Sequence, residues 1–220
     1  MTHEPCCLVT GFEPFDGDAV NPSWQIAQAL DGQRLRGVRV QALQLPCTFA
    51  GSLPALSAAL RRHRPRLVLA LGQAGRAAIS LERVAINVID ARIPDNAGVQ
   101  PIDAPVRAGA PAAYFGTLPI KAMLAALQRE GIAAEVSQSA GTFVCNQVFF
   151  GLMHALRRRR GVRGGFVHVP MLPAQAQARG TGAGMPLEAQ IEGVRTALDA
   201  ALAVVLAEGR DLRLGAGTLD

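Results

Sequence analysis

Lysine is nearly missing from this 220-residue chain: Lys121 is the only one among its 22 basic side chains, and the rest are arginines. Most of those arginines are scattered, so the net charge of +5 does not gather into the basic stripe of a nucleic-acid binder. The one dense run, Arg157–Arg160, follows an apolar helical stretch, where cations complement the carbonyl end of a helix. No nucleic-acid partner is expected. Long apolar runs are missing too. Ala200–Ala207 falls far short of the ~20 residues a membrane helix needs. The opening Met1-Thr2-His3-Glu4-Pro5 lacks the basic and apolar regions of a secretory signal. Four cysteines do not call for an oxidising compartment. The expected setting is the cytoplasm, with no membrane partner. Cys6 and Cys7 are adjacent in a strand-like run, so they point to opposite faces and could not easily share a metal, even with His3 nearby. No cofactor or metal is expected. There is no Gly-x-Gly-x-x-Gly and no Gly-Lys-Ser/Thr. That weakens a rival reading, a phosphate- or nucleoside-binding protein using Thr10-Gly11 or Gly72–Gly75 as an anion-binding turn. Repeats and Gly/Pro/Ser-rich linkers are absent as well. One domain over residues 1–220 is expected, with a core at 6–207 and a loosely ordered tail at 208–220.

What is present is a core. Half the residues are hydrophobic and 18% are charged, and a chain of this size can bury roughly 70% of its unfolded surface. Short apolar runs alternate with helical patterns, the signature of an α/β protein with a mainly parallel sheet. The patterns predict strands at 6–10, 38–45, 66–71, 81–88, 133–137 and 165–169. They predict helices at 22–30, 53–63, 112–129, 145–158 and 186–207. Asn21 is placed to cap the first helix and Pro22 to open it, and Gly131 to end the third. Long irregular segments at 11–22, 90–111 and 169–185 remain. Such loops at the carboxyl ends of parallel strands are where open α/β sheets bind ligands.

Three residues stand out against their surroundings. Cys145 begins an amphipathic helix after a glycine turn; there the helix dipole favours thiolate, and free N–H groups can hold an oxyanion. A small buried hydrophobe is the competing reading of this cysteine. His168 sits inside the short apolar strand 165–169, which ends at Pro170, and needs partners for its ring nitrogens. Glu82, in an apolar strand pattern with Val84, Ile86 and Val88, needs a partner for its carboxylate. That partner is either an arginine or an imidazole it would orient. Asp90, further along the same pattern, is the alternative orienter.

Several segments in series resemble the pyroglutamyl peptidase I (pyrrolidone carboxyl peptidase) family. They are Thr10-Gly11-Phe12-Glu13-Pro14-Phe15, Asn21-Pro22-Ser23, Leu71-Gly72-Gln73-Ala74-Gly75, Glu82–Asn87, Asp90–Asn96, Ala140–Asn146 and His168-Val169-Pro170. The resemblance implies a single-domain three-layer α/β/α sandwich with a twisted, mainly parallel central sheet. It implies a triad of Cys145, His168 and Glu82, and an oxyanion hole from the Cys145 backbone N–H and the Arg92 side chain. It also implies a lactam pocket with Phe12 and Phe15 against the ring, lined by Gln73, Ile93, Phe143 and Val144, with Asn21 close by. Activity on N-terminal pyroglutamyl peptides follows, without cofactor, in a homo-oligomeric dimer or tetramer. Asp16, Met171 and Cys47 beside Thr48 depart from the pattern common in that family.

Overall fold

The computed structural model describes residues 4–182 and 184–217. His3 and the end of the tail, 218–220, lie outside the described residues. The elements in order are β1 (Cys6–Phe12), α1 (Pro22–Leu30), β2 (Arg34–Leu35), β3 (Val38–Leu45), α2 (Ser52–His63), β4 (Leu67–Gln73), β5 (Ile79–Glu82) and β6 (Val84–Ile86). There follow β7 (Ala113–Phe115), α3 (Ile120–Arg129), β8 (Ala134–Ser137), α4 (Val144–Leu156), β9 (Arg163–Val169), α5 (Pro173–Ala178) and α6 (Leu187–Leu206).

Seven strands form one sheet in the order β2-β3-β1-β4-β9-β5-β8. Its centre, β3-β1-β4-β9, is parallel, while β5 runs antiparallel to β9 and parallel to β8. Central parallel strands are covered on both faces and therefore read as continuous apolar runs. Here Cys7, Val9, Leu67, Leu69, Leu71, Val167 and Val169 face α1, α3 and α6. The alternate residues Leu8, Val68, Ala70 and Phe166 face α2 and α4. The result is the three-layer α/β/α sandwich with a mainly parallel sheet. No helix among the described residues is long and apolar enough to cross a membrane.

Local signals hold at several ends. Asn21 caps α1, its side chain accepting from Ser23 N, and Pro22 opens the helix. Gly131 adopts φ 68° after α3, and the Ile132 N–H reaches back to the Leu127 carbonyl.

Three expectations need correction. The strand pattern at 81–88 is cut at Arg83: β5 stays in the main sheet, while β6 pairs with β7 in a separate two-stranded sheet. Beyond the break, Asn146 holds β6 in place by accepting from Ile86 N and donating to the Ile86 and Val88 carbonyls. Glu82 therefore ends its strand and does not share a face with Val84. The helix expected at 112–129 begins only at Ile120, because Tyr114 and Phe115 belong to β7, where Tyr114 packs on Phe150 at 4.9 Å. The tail expected to be loose is tied at its start. Asp211 accepts from Lys121 N at 3.0 Å and Ala122 N at 2.9 Å, capping α3, which has no cap of its own. Arg163 also donates to the Gly209 carbonyl.

The loop at 90–99 is fixed by Asp95. Its carboxylate accepts from Phe49 N at 2.7 Å and from Ala97 and Val99 N at 2.9 Å each. Burial acts to raise its pKa, but these backbone donors outweigh burial and hold it below the usual value. A depressed carboxylate stabilises the fold fully above its unfolded pKa, and that contribution is lost as pH falls through the folded value. Asp95→Asn should therefore cost on the order of 1–3 kcal/mol at neutral pH in urea denaturation. The gap from wild type should shrink below about pH 4; a gap that stayed constant down to that range would contradict the assignment.

Candidate active site

The carboxyl ends of β1, β4 and β9 and the start of α4 enclose an open cleft of about 830 Å³. Cys145 and His168 both line it.

Cys145 is the second residue of α4 and is half-buried. The first intrahelical bond at this end runs from Gln147 N to the Phe143 carbonyl, so the amides before it are left for a ligand. The neighbours of Cys145 lock that turn. Asn146 clamps β6, while Gln147 donates to the Phe49 carbonyl at 2.9 Å and accepts from Ser52 Oγ at 3.4 Å. Gly72 makes room for the sulfur, since a Cβ there would lie 2.8 Å from both Cys145 Sγ and Phe166 Cζ.

His168 lies near the end of β9, opposite Gly72 on one side and Ser80 on the other. Glu82 pairs with Phe166, two residues away, which puts its side chain on the same sheet face, diagonal to the imidazole. Glu82 Oε1 is 2.7 Å from His168 Nδ1. The glutamate side chain has no exposed surface, and the histidine side chain only 6%. The Phe166 ring packs on the imidazole at 4.9 Å. Glu82 is thus held by both partners considered for it, because Arg76 Nη1 also reaches Oε1 at 2.9 Å. The Asp90 side chain is exposed, and its backbone is bonded to Thr142.

Of the expected pocket residues, Phe15, Gln73, Arg92, Ile93 and Phe143 line the cleft. Phe12, Asn21 and Val144 are not on its wall. Phe12 is buried in the core at the end of β1, Val144 is buried at the start of α4, and Asn21 is spent on capping α1 and donating to the Glu13 carbonyl. Phe143 packs between Phe15 at 6.3 Å and Phe49 at 5.3 Å. Gln73 Nε2 lies 3.4 Å from Asp18 Oδ2, whereas its buried Oε1 has no partner. Glu13 anchors the wall from behind, accepting from Cys47 N and Asn96 Nδ2 at 2.9 Å each. Arg179 of the α5 turn pairs with Asp16 at 2.6 Å and Asp18 at 3.1 Å.

The helix start was expected to lower the Cys145 pKa, and the net direction is the reverse. Burial pushes the thiol up and Cys47 and Glu82 add to this; the Cys145 backbone N–H and Arg76 pull it down without prevailing.

Arg76 and Gly72 were not singled out as site residues. The Leu71–Gly75 turn was visible in the sequence, but what their positions meet across the sheet was not. On the rival reading, Gly11 does not form an open anion turn, since a Cβ there would lie 2.3 Å from the Ser23 carbonyl oxygen.

A helix-start cysteine sharing a cleft with a histidine that is bonded to a buried carboxylate is an arrangement that a cysteine-type peptidase uses. A family model described as pyroglutamyl peptidase matches residues 6–204. The chain is 57% identical over 211 residues to a pyrrolidone-carboxylate peptidase of Klebsiella pneumoniae (strain 342), covering 96% of this chain and 97% of that one. It is 52% identical over 215 residues to the protein of that name from Cupriavidus pinatubonensis, covering 96% and 98%. Among solved structures, the pyrrolidone carboxyl peptidase from Thermococcus litoralis superposes with a TM-score of 0.92 at 37% identity, covering 96% of this chain and 99% of that one. Pyroglutamyl peptidase I from Bacillus amyloliquefaciens gives 0.89 at 40%, covering 95% and 100%. The chain belongs to the pyroglutamyl peptidase family.

The resting state of the thiol can be tested directly. Iodoacetamide alkylation of Cys145 in the ligand-free protein should keep accelerating past the ordinary thiol value of about pH 8.5. A rate already on a plateau below about pH 7 would mark a preformed thiolate instead.

Proposed function

We propose that this chain removes N-terminal pyroglutamyl residues from peptides, with Cys145 as nucleophile, His168 as acid–base and Glu82 as orienter. The observation that carries this is the buried Glu82–His168 hydrogen bond of 2.7 Å beside a helix-start cysteine on one cleft. Pyroglutamate is a neutral lactam that leaves no terminal ammonium to grip. Its site needs an apolar wall and a few placed hydrogen-bond groups. Phe15, Ile93 and Phe143 supply the wall. The unpartnered Gln73 Oε1 supplies an acceptor for the ring N–H.

In the first step Cys145 Sγ attacks the pyroglutamyl carbonyl carbon as its proton passes to His168 Nε2. Nδ1–H keeps donating to Glu82, which fixes the tautomer and stabilises the imidazolium as it forms. The Cys145 backbone N–H and Arg92 hold the oxyanion. His168 then protonates the leaving amine, and the C–N bond breaks to give a thioester. Water, deprotonated by His168, releases pyroglutamate and the thiol. Proton transfers of this kind typically contribute ~10²–10⁴-fold. Phe12, Asn21 and Val144 support the pocket from behind its wall.

The cytoplasm suits a chain with four free cysteines. A homo-oligomer would cover Phe115 and Ile102, which are 69% and 60% exposed.

The test is release of a fluorescent amine from a pyroglutamyl conjugate. Wild type should turn over and folded Cys145→Ser should not; an inert, reduced wild type rules out the reaction, and an active serine variant rules out the nucleophile. Glu82→Gln should lower kcat by on the order of 10²–10⁴-fold through loss of the imidazole's orientation and charge partner. An unchanged kcat removes Glu82 from the mechanism.

A further inference from the structure

Glu82 is the most deeply buried charged side chain at the site, with no exposed surface. A neutral imidazole can orient its carboxylate but cannot balance its charge, and an unbalanced buried carboxylate is costly. Arg76 supplies the balance. It lies three residues past the end of β4, in the loop between β4 and β5. Its Nη1 meets Glu82 Oε1 at 2.9 Å, on the same oxygen that His168 Nδ1 contacts at 2.7 Å. Its Nη2 donates to the Ser139 carbonyl at 2.8 Å. Ser139 belongs to the loop between β8 and α4, six residues before Cys145.

We propose that Arg76 is a positioning residue for the whole triad, with its guanidinium holding the Glu82 carboxylate and the loop that delivers Cys145 in one fixed relation. The proposal rests on the peptidase reading above and assigns to that site a residue outside the triad and the oxyanion hole.

The geometry gives this role two parts. Glu82 Oε2 is buried without a partner, so both donors converge on Oε1. With His168 alone the carboxylate could rotate about its last bond and present either oxygen. A second donor fixed to Oε1 removes that freedom and leaves Nδ1–H one acceptor in one place. The second part is the span. A planar fork with donors on two nitrogens can reach a carboxylate and a carbonyl together, whereas a lysine ammonium is a point charge on a flexible stem. Arg76 is also within reach of solutes, with a side chain 32% exposed on the cleft wall.

A residue acting in this way affects the chemical step more than substrate binding. In the amine-release assay Arg76→Ala should lower kcat by about 10²-fold, the scale of a small misplacement of reacting groups, with KM essentially unchanged. Added guanidinium, far below denaturing concentrations, should fill the vacated site and raise kcat several-fold. Arg76→Lys should fall between wild type and Ala. A merely structural arginine would alter the thermal midpoint and give no rescue of kcat. The proposal is overturned by a wild-type kcat in folded Arg76→Ala, by a rise in KM alone (a substrate contact), or by a folded variant that guanidinium does not restore. Should the alanine variant not fold, Arg76→Gln carries the same measurements and outcomes. Absence of wild-type turnover would instead be failure of the peptidase reading, so the two failures are distinct.

Discussion

A carboxylate with no exposed surface, hydrogen-bonded across two antiparallel strands to an imidazole, is the constraint around which the site is organised. Such a group survives in a core only when its charge is balanced and its position fixed. The position comes from the register of β5 against β9, where Glu82 opposite Phe166 falls diagonal to His168. A slip of one residue would turn every side chain of β5 to the other face and leave the imidazole without its acceptor. The sheet and the site are therefore specified together.

The cysteine is held on a different principle. Cys145 stands on a helix whose first turn is bolted down by its own neighbours, Asn146 to β6 and Gln147 to the Phe49 carbonyl. Burial pushes its thiol pKa up, and Cys47 and Glu82 add to this. On the proposed mechanism, reactivity is supplied by His168 at the moment of attack. The cleft wall is mounted on loops, but Glu13, Asp95 and Arg179 tie those loops to one another. The cleft is thus largely preformed, which lowers the ordering cost of binding.

The three candidate residues stand out in the sequence because each violates its surroundings: a histidine in an apolar strand, a glutamate in an apolar pattern, a cysteine at a helix start. The layers were legible from alternation and caps, as at Asn21 and Gly131. What was not legible depends on long-range contacts. After the break at Arg83, β6 is held by its pairing with β7 and by Asn146, some sixty positions on, and strand periodicity alone runs straight through the break. Phe12 shares the Gly-Phe-Glu-Pro-Phe segment with Phe15, yet the pleat of β1 turns it into the core and leaves only Phe15 on the cleft wall. Arg76 carries no local mark, because its two partners come from separate parts of the chain. The burial that raises the Cys145 pKa comes from long-range packing, whereas the helix start is a local feature. Asp211 likewise reads as an ordinary tail residue until the end of α6 brings it to the start of α3.

The central claim is that the acyl group passes through the sulfur of Cys145. Mass spectrometry of an acid-quenched reaction with an activated pyroglutamyl ester tests it most directly. The account requires a mass increase of one pyroglutamyl group on the peptide containing Cys145, lost on treatment with hydroxylamine. Turnover with that peptide unmodified at every quench time, or with the adduct on another residue, would contradict it.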